Sequence, residues 1–320
     1  MPLESIDRLI QQSEEGGYAV GYFEGWNIES IMGVIDAAEE SQSPIIIGYN
    51  GDFMSHDRRR AAERLPVWAA MAKAAAETSR IPCGLVFNEC SKPEWVEQAI
   101  DLGFNLVLPI DEAATYEEYA DQLKRIVPYA HERGAAVEAE LGELPCGASG
   151  SVEGNGSLTD PELAGRFVEE TGIDLLAVSV GNVHIEVHGA NGRCLDLKRL
   201  ENLRDRAGIP LVLHGGTGIA ADSLKEAIGL GVRKVNYGTY LKQRYLTALR
   251  EVLPRERSNP HELLGLGEEP DIMVAGRLAV RDAVLERIDA LGCRGKAWRM
   301  PGNAPTRPHL FDRRLAREVN

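Results

Sequence analysis

The sequence predicts an α/β protein in which eight parallel strands close into a (β/α)8 TIM barrel with a C-terminal helical extension. Three observations support this prediction. Short apolar, β-branched segments recur eight times between residues 18 and 238. Segments with helical periodicity and good helix formers separate them. The repeated units together occupy about 240 residues, which is the usual size of such a barrel.

The eight predicted strands are apolar on both faces, as is typical of a parallel sheet covered by helices. In chain order they are residues 18–23, 44–50, 82–88, 105–110, 135–141, 175–181, 210–215 and 233–238. A doubly wound open sheet is the alternative architecture. It would carry a GxGxxG motif after its first strand, and GYFEGWN at 21–27 lacks that motif. The closed barrel is therefore favoured.

The segments between the strands predict helices. The clearest are residues 29–41, 67–79, 116–134, 160–172 and 223–231. Several begin at a good N-cap and end on glycine, as where Asp160 and Pro161 open a segment that ends at Gly172.

The alternation of predicted strands and helices ends after residue 253. The sequence therefore predicts three regions. Residues 1–253 form the barrel. Residues 254–297 form a helical extension of the same domain, with a turn-rich connector followed by the apolar helix DIMVAGRLAVRDAVLERIDALG. Residues 298–320 form a proline-rich, basic tail.

Composition excludes several function classes. The 320 residues carry a formal net charge of −14, which argues against nucleic acid and anionic membrane surfaces as partners. No stretch approaches the ~20 apolar residues of a membrane span. The five cysteines have no CxxC spacing, so neither a disulfide framework nor a thiolate zinc site is indicated. We expect a cytoplasmic protein with reduced thiols.

Polar side chains follow several of the predicted strands. Asn88 and Glu89 end the third strand, Glu140 ends the fifth, His184 follows the sixth and His214 ends the seventh. Because the carboxyl ends of barrel strands form one mouth, we expect these side chains to converge. Imidazole and carboxylate groups suit Zn²⁺ or another divalent metal. The sequence therefore predicts a metal site at this mouth.

Small residues follow the last strands, where many barrels bind phosphate through backbone N–H groups and a helix N-terminus. The predicted anion-binding residues are Gly181, Gly215, Gly216, Thr217, Gly218, Asn236, Gly238 and Thr239. Such loops explain how an acidic protein holds an anion. The alternative is that these glycines only form tight turns.

The ordered motifs VEAELG (137–142), TGIDLLAVSVGNVH (171–184) and PLVLHGGTG (210–218) resemble a known family. It is that of the class II, metal-dependent fructose-bisphosphate and tagatose-bisphosphate aldolases. The resemblance extends over roughly residues 15–297 and is carried by several specific motifs.

The resemblance implies a zinc ion that polarises the carbonyl of a dihydroxyacetone-phosphate unit and stabilises the enediolate formed as a carbon–carbon bond breaks. His184 and His214 match two of the family's three histidine ligands, and Glu140 matches a carboxylate beside the metal. The two glycine-containing loops match its phosphate site, and Asn236 matches an asparagine that contacts the ketose. The family also implies a homodimer or homotetramer.

The third strand departs from the family pattern. Asn88 stands where the family has an acid/base aspartate, and Glu89 stands where it has the third histidine ligand. An amide cannot take up a proton at neutral pH, so Asn88 cannot perform that proton transfer. Glu89 remains either a third metal ligand or an acid/base group, and Glu140 is the other acid/base candidate. Just after the first predicted strand, Glu24 stands in place of an asparagine of the family.

These observations predict an aldolase-type lyase that acts on a phosphorylated ketose or a related sugar phosphate other than fructose 1,6-bisphosphate. Its expected catalytic residues are Asn88, Glu89 and Glu140, and its expected metal ligands are Glu89, His184 and His214. Two alternatives remain open. One is a metal-dependent isomerase or epimerase of a sugar phosphate, and the other is a non-catalytic sugar-phosphate binder.

Overall fold

Eight parallel strands form a closed barrel in the computed structural model, which describes residues 3–111, 113–142, 156–183, 192–253 and 259–298. Each strand pairs with the next in the chain, and the last pairs with the first. The strands are β1 (Val20–Glu24), β2 (Ile45–Asn50), β3 (Cys83–Cys90), β4 (Leu106–Pro109), β5 (Ala136–Leu141), β6 (Leu175–Val178), β7 (Leu211–Leu213) and β8 (Val232–Tyr237). The predicted barrel is confirmed, and the open sheet is excluded.

Helices lie before, between and after the strands. They are α1 (Ile6–Gly16), α2 (Ile28–Ser41), α3 (Gly51–Ser55), α4 (Leu65–Thr78), α5 (Pro93–Asp101), α6 (Tyr116–Glu132), α7 (Pro161–Thr171), α8 (Leu197–Ala207), α9 (Ala221–Gly229), α10 (Thr239–Val252) and α11 (Ile272–Leu291). Short 3₁₀ turns occupy Gly216–Gly218 and Pro260–Glu262. Every strand is thus followed by at least one helix, as the alternating pattern predicts.

Local capping explains where several helices begin. The side chain of Asn27 accepts a hydrogen bond from Ser30 at the start of α2, in a reciprocal capping box. Thr115 and Glu118 form the same arrangement at the start of α6. Asp160 caps α7, which ends at Gly172 with a left-handed backbone, as its sequence predicts.

The strands are buried on both faces because the helices cover their outer sides. All residues of β1, β2, β4, β6 and β7 are buried. The N-terminal segment packs against the amino ends of the strands, where the Glu4 amide donates to the Cys83 carbonyl. The polar side chains at the ends of the strands lie at the opposite, carboxyl end of the barrel.

Helix α11 packs against α2 and α10. The Arg277 guanidinium donates two hydrogen bonds to the Asp36 carboxylate, at 2.5 and 2.7 Å. The close approach leaves no space for a side chain at Gly33 or at Gly276, which face the Arg277 carbonyl and the Tyr245 ring. The predicted C-terminal helical extension is therefore present, whereas the proposed division of the chain at residue 253 stays a prediction.

The described cysteines, Cys83, Cys90, Cys194 and Cys293, are free. Within the described residues, no helix combines the length and the apolar character needed to cross a membrane.

Replacement of Gly48 tests the packing of β2 on β3. A Cβ atom at this position would collide with the Val86 carbonyl in the adjacent strand, so we expect Gly48→Ala to destabilise the protein by about 3 kcal/mol. The free energy of unfolding in urea measures this loss. Gly229→Ala is the control, because no atom lies near its added methyl group, and it should change stability by less than about 1 kcal/mol. Equal losses in the two variants would contradict this account.

Candidate active site

A pocket opens at the carboxyl end of the barrel. It is lined by Tyr22, Glu24, Asn50, Phe53, Asn88, Glu89, His214, Gly215, Thr217, Asn236, Tyr237, Gly238, Thr239 and Lys242. These residues come from β1, β2, β3 and β8 and from the segments that follow β2, β7 and β8. Eight residues that the sequence analysis selected lie among them, at the end of the barrel where it expected a site.

His214 directly follows β7 and is almost completely buried. Its Nε2 atom lies 3.0 Å from Glu138 Oε1, which accepts a hydrogen bond from the ring. Its Nδ1 atom lies 3.4 Å from both Glu89 Oε1 and Glu140 Oε2. Burial lowers the pKa of His214, but the hydrogen bond to Glu138 and the charges of Glu140 and Glu89 outweigh it, so that pKa is raised. Three carboxylates thus surround one imidazole.

Glu138 and Lys234 form an ion pair inside the barrel. Both side chains are 0% exposed, and Lys234 Nζ lies 2.8 Å from Glu138 Oε2. Lys234 also donates to Asn236 Oδ1 at 2.6 Å. Burial raises the pKa of Glu138, but Lys234 and His214 lower it further than burial raises it. The carboxylate therefore stays ionised beside the imidazole.

Glu89 has an unusual backbone conformation, with φ of 50°. A left-handed backbone costs a non-glycine residue of the order of 1 kcal/mol, and such strain concentrates at functional positions. Asn50 donates a hydrogen bond of 2.7 Å to Glu89 Oε2. The turn and this hydrogen bond together direct the Glu89 carboxylate toward His214.

Asn88 is buried beside Glu89. Its Oδ1 atom accepts a hydrogen bond of 3.4 Å from Asn236 Nδ2. Because its amide group neither gains nor loses a proton at neutral pH, Asn88 can position a bound group but cannot act as its acid or base.

The two predicted anion-binding loops lie next to each other at the pocket. Gly215 has φ of 65°, a left-handed conformation suited to glycine, and the 3₁₀ turn Gly216–Gly218 follows it. Helix α10 begins at Thr239, and its N-cap residue Gly238 provides no capping side chain. Among the described residues no side chain caps the first backbone N–H groups of α10, and such groups can hold an anion.

Gly238 allows Glu24 to enter the pocket. A side chain at position 238 would collide with Glu24 Oε2. Glu24 Oε1 accepts a hydrogen bond of 2.5 Å from Lys242 Nζ. The Glu24–Lys242 ion pair therefore lies on the side of the pocket next to the N-terminus of α10.

The remaining predicted residues have different outcomes. Glu140 lies beside His214, Gly216 and Gly218 are buried in the 3₁₀ turn, and Gly181 follows β6 with φ of 101°. His184 lies outside the described residues. In the part of the chain that is described, no group of three His, Cys, Asp or Glu side chains has the geometry of a metal site.

Seven residues in and below this pocket were not predicted from the sequence. They are Tyr22, Asn50, Phe53, Tyr237 and Lys242, which line it, and the buried pair Glu138 and Lys234. A signal was available for two of them, because Glu138 and Lys234 are charged residues within apolar strand segments, and a buried charge needs a partner. Tyr22, Asn50 and Lys242 carry no comparable signal.

Comparison with known proteins identifies the family. Residues 4–296 match the family model described as fructose-bisphosphate aldolase class-II. The fructose-bisphosphate aldolase of Geobacillus stearothermophilus is 34% identical over 302 residues, which cover 93% of this chain and 99% of that protein. The fructose-bisphosphate aldolase of Staphylococcus aureus (strain MW2) is 32% identical over the same length.

Solved structures agree with this result. The YdjI aldolase of Escherichia coli K12 has a TM-score of 0.75 and 31% identity, over 92% of this chain and 100% of that one. A putative fructose-1,6-bisphosphate aldolase of Coccidioides immitis has a TM-score of 0.76 and 27% identity, over 91% and 97% of the two chains. The architecture is thus that of the (β/α)8 barrels, a class of fold whose enzymes have their active sites at the carboxyl ends of the strands. More specifically, the chain belongs to the class II fructose-bisphosphate aldolase family, whose members are aldolase-type sugar-phosphate lyases that generally use a divalent metal. The resemblance seen in the sequence is confirmed.

Removal of one member of the buried ion pair tests its role in stability. Lys234→Met leaves the Glu138 charge buried without its lysine partner, so we expect a loss of about 4 kcal/mol in the free energy of unfolding. Urea denaturation gives the value. The control is Lys198→Met, since Lys198 is 77% exposed and contacts Glu201 only at the surface, where such pairs contribute less than about 1 kcal/mol. A loss below about 1 kcal/mol in Lys234→Met would contradict the proposed role.

Proposed function

We propose that this chain is a divalent-metal-dependent aldolase-type lyase whose substrate is a phosphorylated ketose, or a related sugar phosphate, other than fructose 1,6-bisphosphate. The observation that carries this proposal is the position of His214, with Glu89 and Glu140 facing its Nδ1 atom, beside the loops at Gly215–Gly218 and Gly238–Thr239. The groups proposed to activate a carbonyl and those proposed to hold a phosphate thus line one pocket.

Imidazole and carboxylate groups are ligands that suit a divalent cation such as zinc, and Glu89 Oε1 and Glu140 Oε2 each lie 3.4 Å from His214 Nδ1. The described side chains do not form a three-ligand site by themselves. Glu138 accepts from His214 Nε2 and so leaves Nδ1 as the nitrogen that faces the carboxylates. His184 completes the proposed ligand set with His214 and Glu89. When bound, the cation would polarise a substrate carbonyl and stabilise the negative charge that develops on its oxygen.

The proton transfer is assigned to a carboxylate. Among the residues near His214, Asn88 cannot exchange a proton, whereas Glu89 and Glu140 can. Glu89 is held by Asn50, and its strained backbone fixes the direction of its side chain. We assign the acid/base role to Glu89 or Glu140, and Asn88 orients a substrate hydroxyl.

Two features favour a substrate other than fructose 1,6-bisphosphate, although relatives with 32–34% identity are named for that activity. Asn88 replaces the acid/base aspartate that the family resemblance implies at this position. The Glu24–Lys242 pair also occupies the pocket, together with a glycine at position 238. Both features alter the surroundings of a bound ketose.

The proposal includes a cytoplasmic homodimer or homotetramer. Leu246, Leu264, Leu266 and Met273, in and between α10 and α11, expose much of their apolar surface, which supports self-association.

Proton exchange tests the function without knowledge of the aldehyde half of the substrate. We expect the zinc-loaded protein to exchange a carbon-bound proton of dihydroxyacetone phosphate with D₂O, as seen by NMR. It should also release triose phosphate from at least one member of a panel of ketose phosphates. Exchange with isomerisation and no cleavage would favour the isomerase alternative. Binding with neither reaction would favour the non-catalytic binder, and no binding would overturn all three.

Metal content tests the assignment of His214. We expect His214→Ala to retain less than about a tenth of the zinc bound by the wild-type protein, because loss of one ligand weakens a three-ligand site severely. Elemental analysis of the folded, purified protein provides the measurement. His131→Ala is the control, since His131 is surface-exposed and interacts with Asp174. Full zinc occupancy in His214→Ala would show that His214 is not a ligand.

A substitution at Thr217 tests the anion site. Gly216 is unsuitable because any side chain there would collide with Val235 and Tyr237, whereas Thr217 is only partly buried and lines the pocket. Thr217→Glu places a negative charge beside the proposed phosphate, so we expect binding of inorganic phosphate to weaken by at least about tenfold. Calorimetric titration measures the effect. Thr217→Ser keeps the hydroxyl group and should bind within about twofold of wild type, and equal affinities in all three proteins would mean that the loops are only turns.

A further inference from the structure

The hydroxyl group of Tyr22 is buried at the pocket without a hydrogen-bond partner among the described residues. The side chain is 2% exposed. By contrast, the buried Tyr49 donates to the Trp68 carbonyl at 3.2 Å, and the partly buried Tyr119 donates to the Pro109 carbonyl at 2.8 Å. The hydroxyl groups of Tyr18 and Tyr237 also lack a partner among the described residues. A buried polar group without a partner is uncommon and calls for an explanation.

The position of Tyr22 is fixed by the barrel. In the β1–β8 pairing Tyr22 is opposite Asn236, and both residues line the pocket. Lys234 Nζ lies 5.2 Å from the centre of the Tyr22 ring, within the range of a cation–π contact. The lysine is itself held by Glu138, so the network that orients His214 also holds the phenol ring in place.

The surroundings of Tyr22 keep its hydroxyl group protonated. Burial raises the pKa of Tyr22 well above its ordinary value, and the charges of Glu24, Glu89 and Glu138 raise it further. The phenol therefore donates a hydrogen bond and does not act as a base at neutral pH.

We propose that the Tyr22 hydroxyl group binds the substrate by donating a hydrogen bond to a hydroxyl or carbonyl oxygen of its carbon chain. This inference rests on the proposed function, since it assigns a further binding residue within the same site. Tyr22 would then act with Asn88 and Asn236, two amides that line the same pocket. All three residues are uncharged and can donate to an oxygen atom.

A phosphate oxygen is not the acceptor that this environment favours. Glu24, Glu89 and Glu138 all contribute negative charge at the Tyr22 hydroxyl, so a second anion there would be repelled. The phosphate has its own place at the glycine loops and the N-terminus of α10. An uncharged oxygen of the carbon chain accepts the hydrogen bond without that repulsion.

Tyr22→Phe tests the proposal, with dihydroxyacetone phosphate and inorganic phosphate as separate probes in calorimetric titrations of the zinc-loaded protein. Removal of the donor leaves a substrate oxygen unsatisfied, so we expect the Kd of dihydroxyacetone phosphate to rise by about tenfold. The Kd of inorganic phosphate should stay within about twofold of wild type. Unfolding in urea should show no loss of stability, because the hydroxyl group has no partner among the described residues.

Tyr18→Phe is the matched control. Its hydroxyl group is also buried without a hydrogen-bond partner among the described residues, but Tyr18 is not among the residues that line the pocket. We expect this variant to bind both probes as the wild-type protein does.

The outcomes separate the two proposals. Equal affinities of wild type and Tyr22→Phe for dihydroxyacetone phosphate would overturn the role of Tyr22 and leave the proposed function intact. An equal loss of affinity for both probes, or a loss of stability in Tyr22→Phe, would also overturn the role of Tyr22, because it would show that the substitution disturbs the structure. A wild-type protein that does not bind dihydroxyacetone phosphate would refute the proposed function, and this inference would be refuted with it.

Discussion

Lys234 and Glu138 carry opposite charges in the interior of the barrel, where neither side chain reaches water. Removing two charges from water costs several kcal/mol for each ion, so such a pair persists only where further hydrogen bonds satisfy it. Here those bonds go to His214 and Asn236. The pair connects β5 to β8, and the hydrogen bond from His214 to Glu138 adds the residue that follows β7. The orientation of the imidazole is thereby linked to the closure of the barrel.

The same pair affects both parts of the proposed site. On one side, Glu138 directs His214 so that its Nδ1 atom faces Glu89 and Glu140. On the other side, Lys234 holds Asn236, which in turn donates to Asn88. Most of the side chains that would contact a substrate are thus held by interactions below the pocket. They are already oriented before a ligand binds.

The barrel and the end of it that carries the candidate site are readable from the sequence, because strand burial, helix periodicity and strand-end residues are local features. Eight of the predicted residues line one pocket for this reason. The partners inside the barrel are not local. Glu138 and Lys234 are far apart in the chain, and the orphan hydroxyl of Tyr22 is visible only once the surrounding strands are in place. A second role of Gly238 is also visible only in the structure. The sequence suggests this glycine as a phosphate contact, and in the structure it makes space for Glu24 as well.

Charge balance is consistent with the proposal that one small pocket serves both a cation and an anion. Around it the carboxylates of Glu24, Glu89, Glu138 and Glu140 outnumber the ammonium groups of Lys234 and Lys242. Each lysine is already paired with a carboxylate, so the remaining negative charge lies near His214 and favours a divalent cation. A phosphate therefore cannot rely on a free lysine in this pocket. In the proposed site, backbone N–H groups of the glycine loops and of α10 are the dipoles that would hold the anion, and they add no positive charge that would compete with the metal ion.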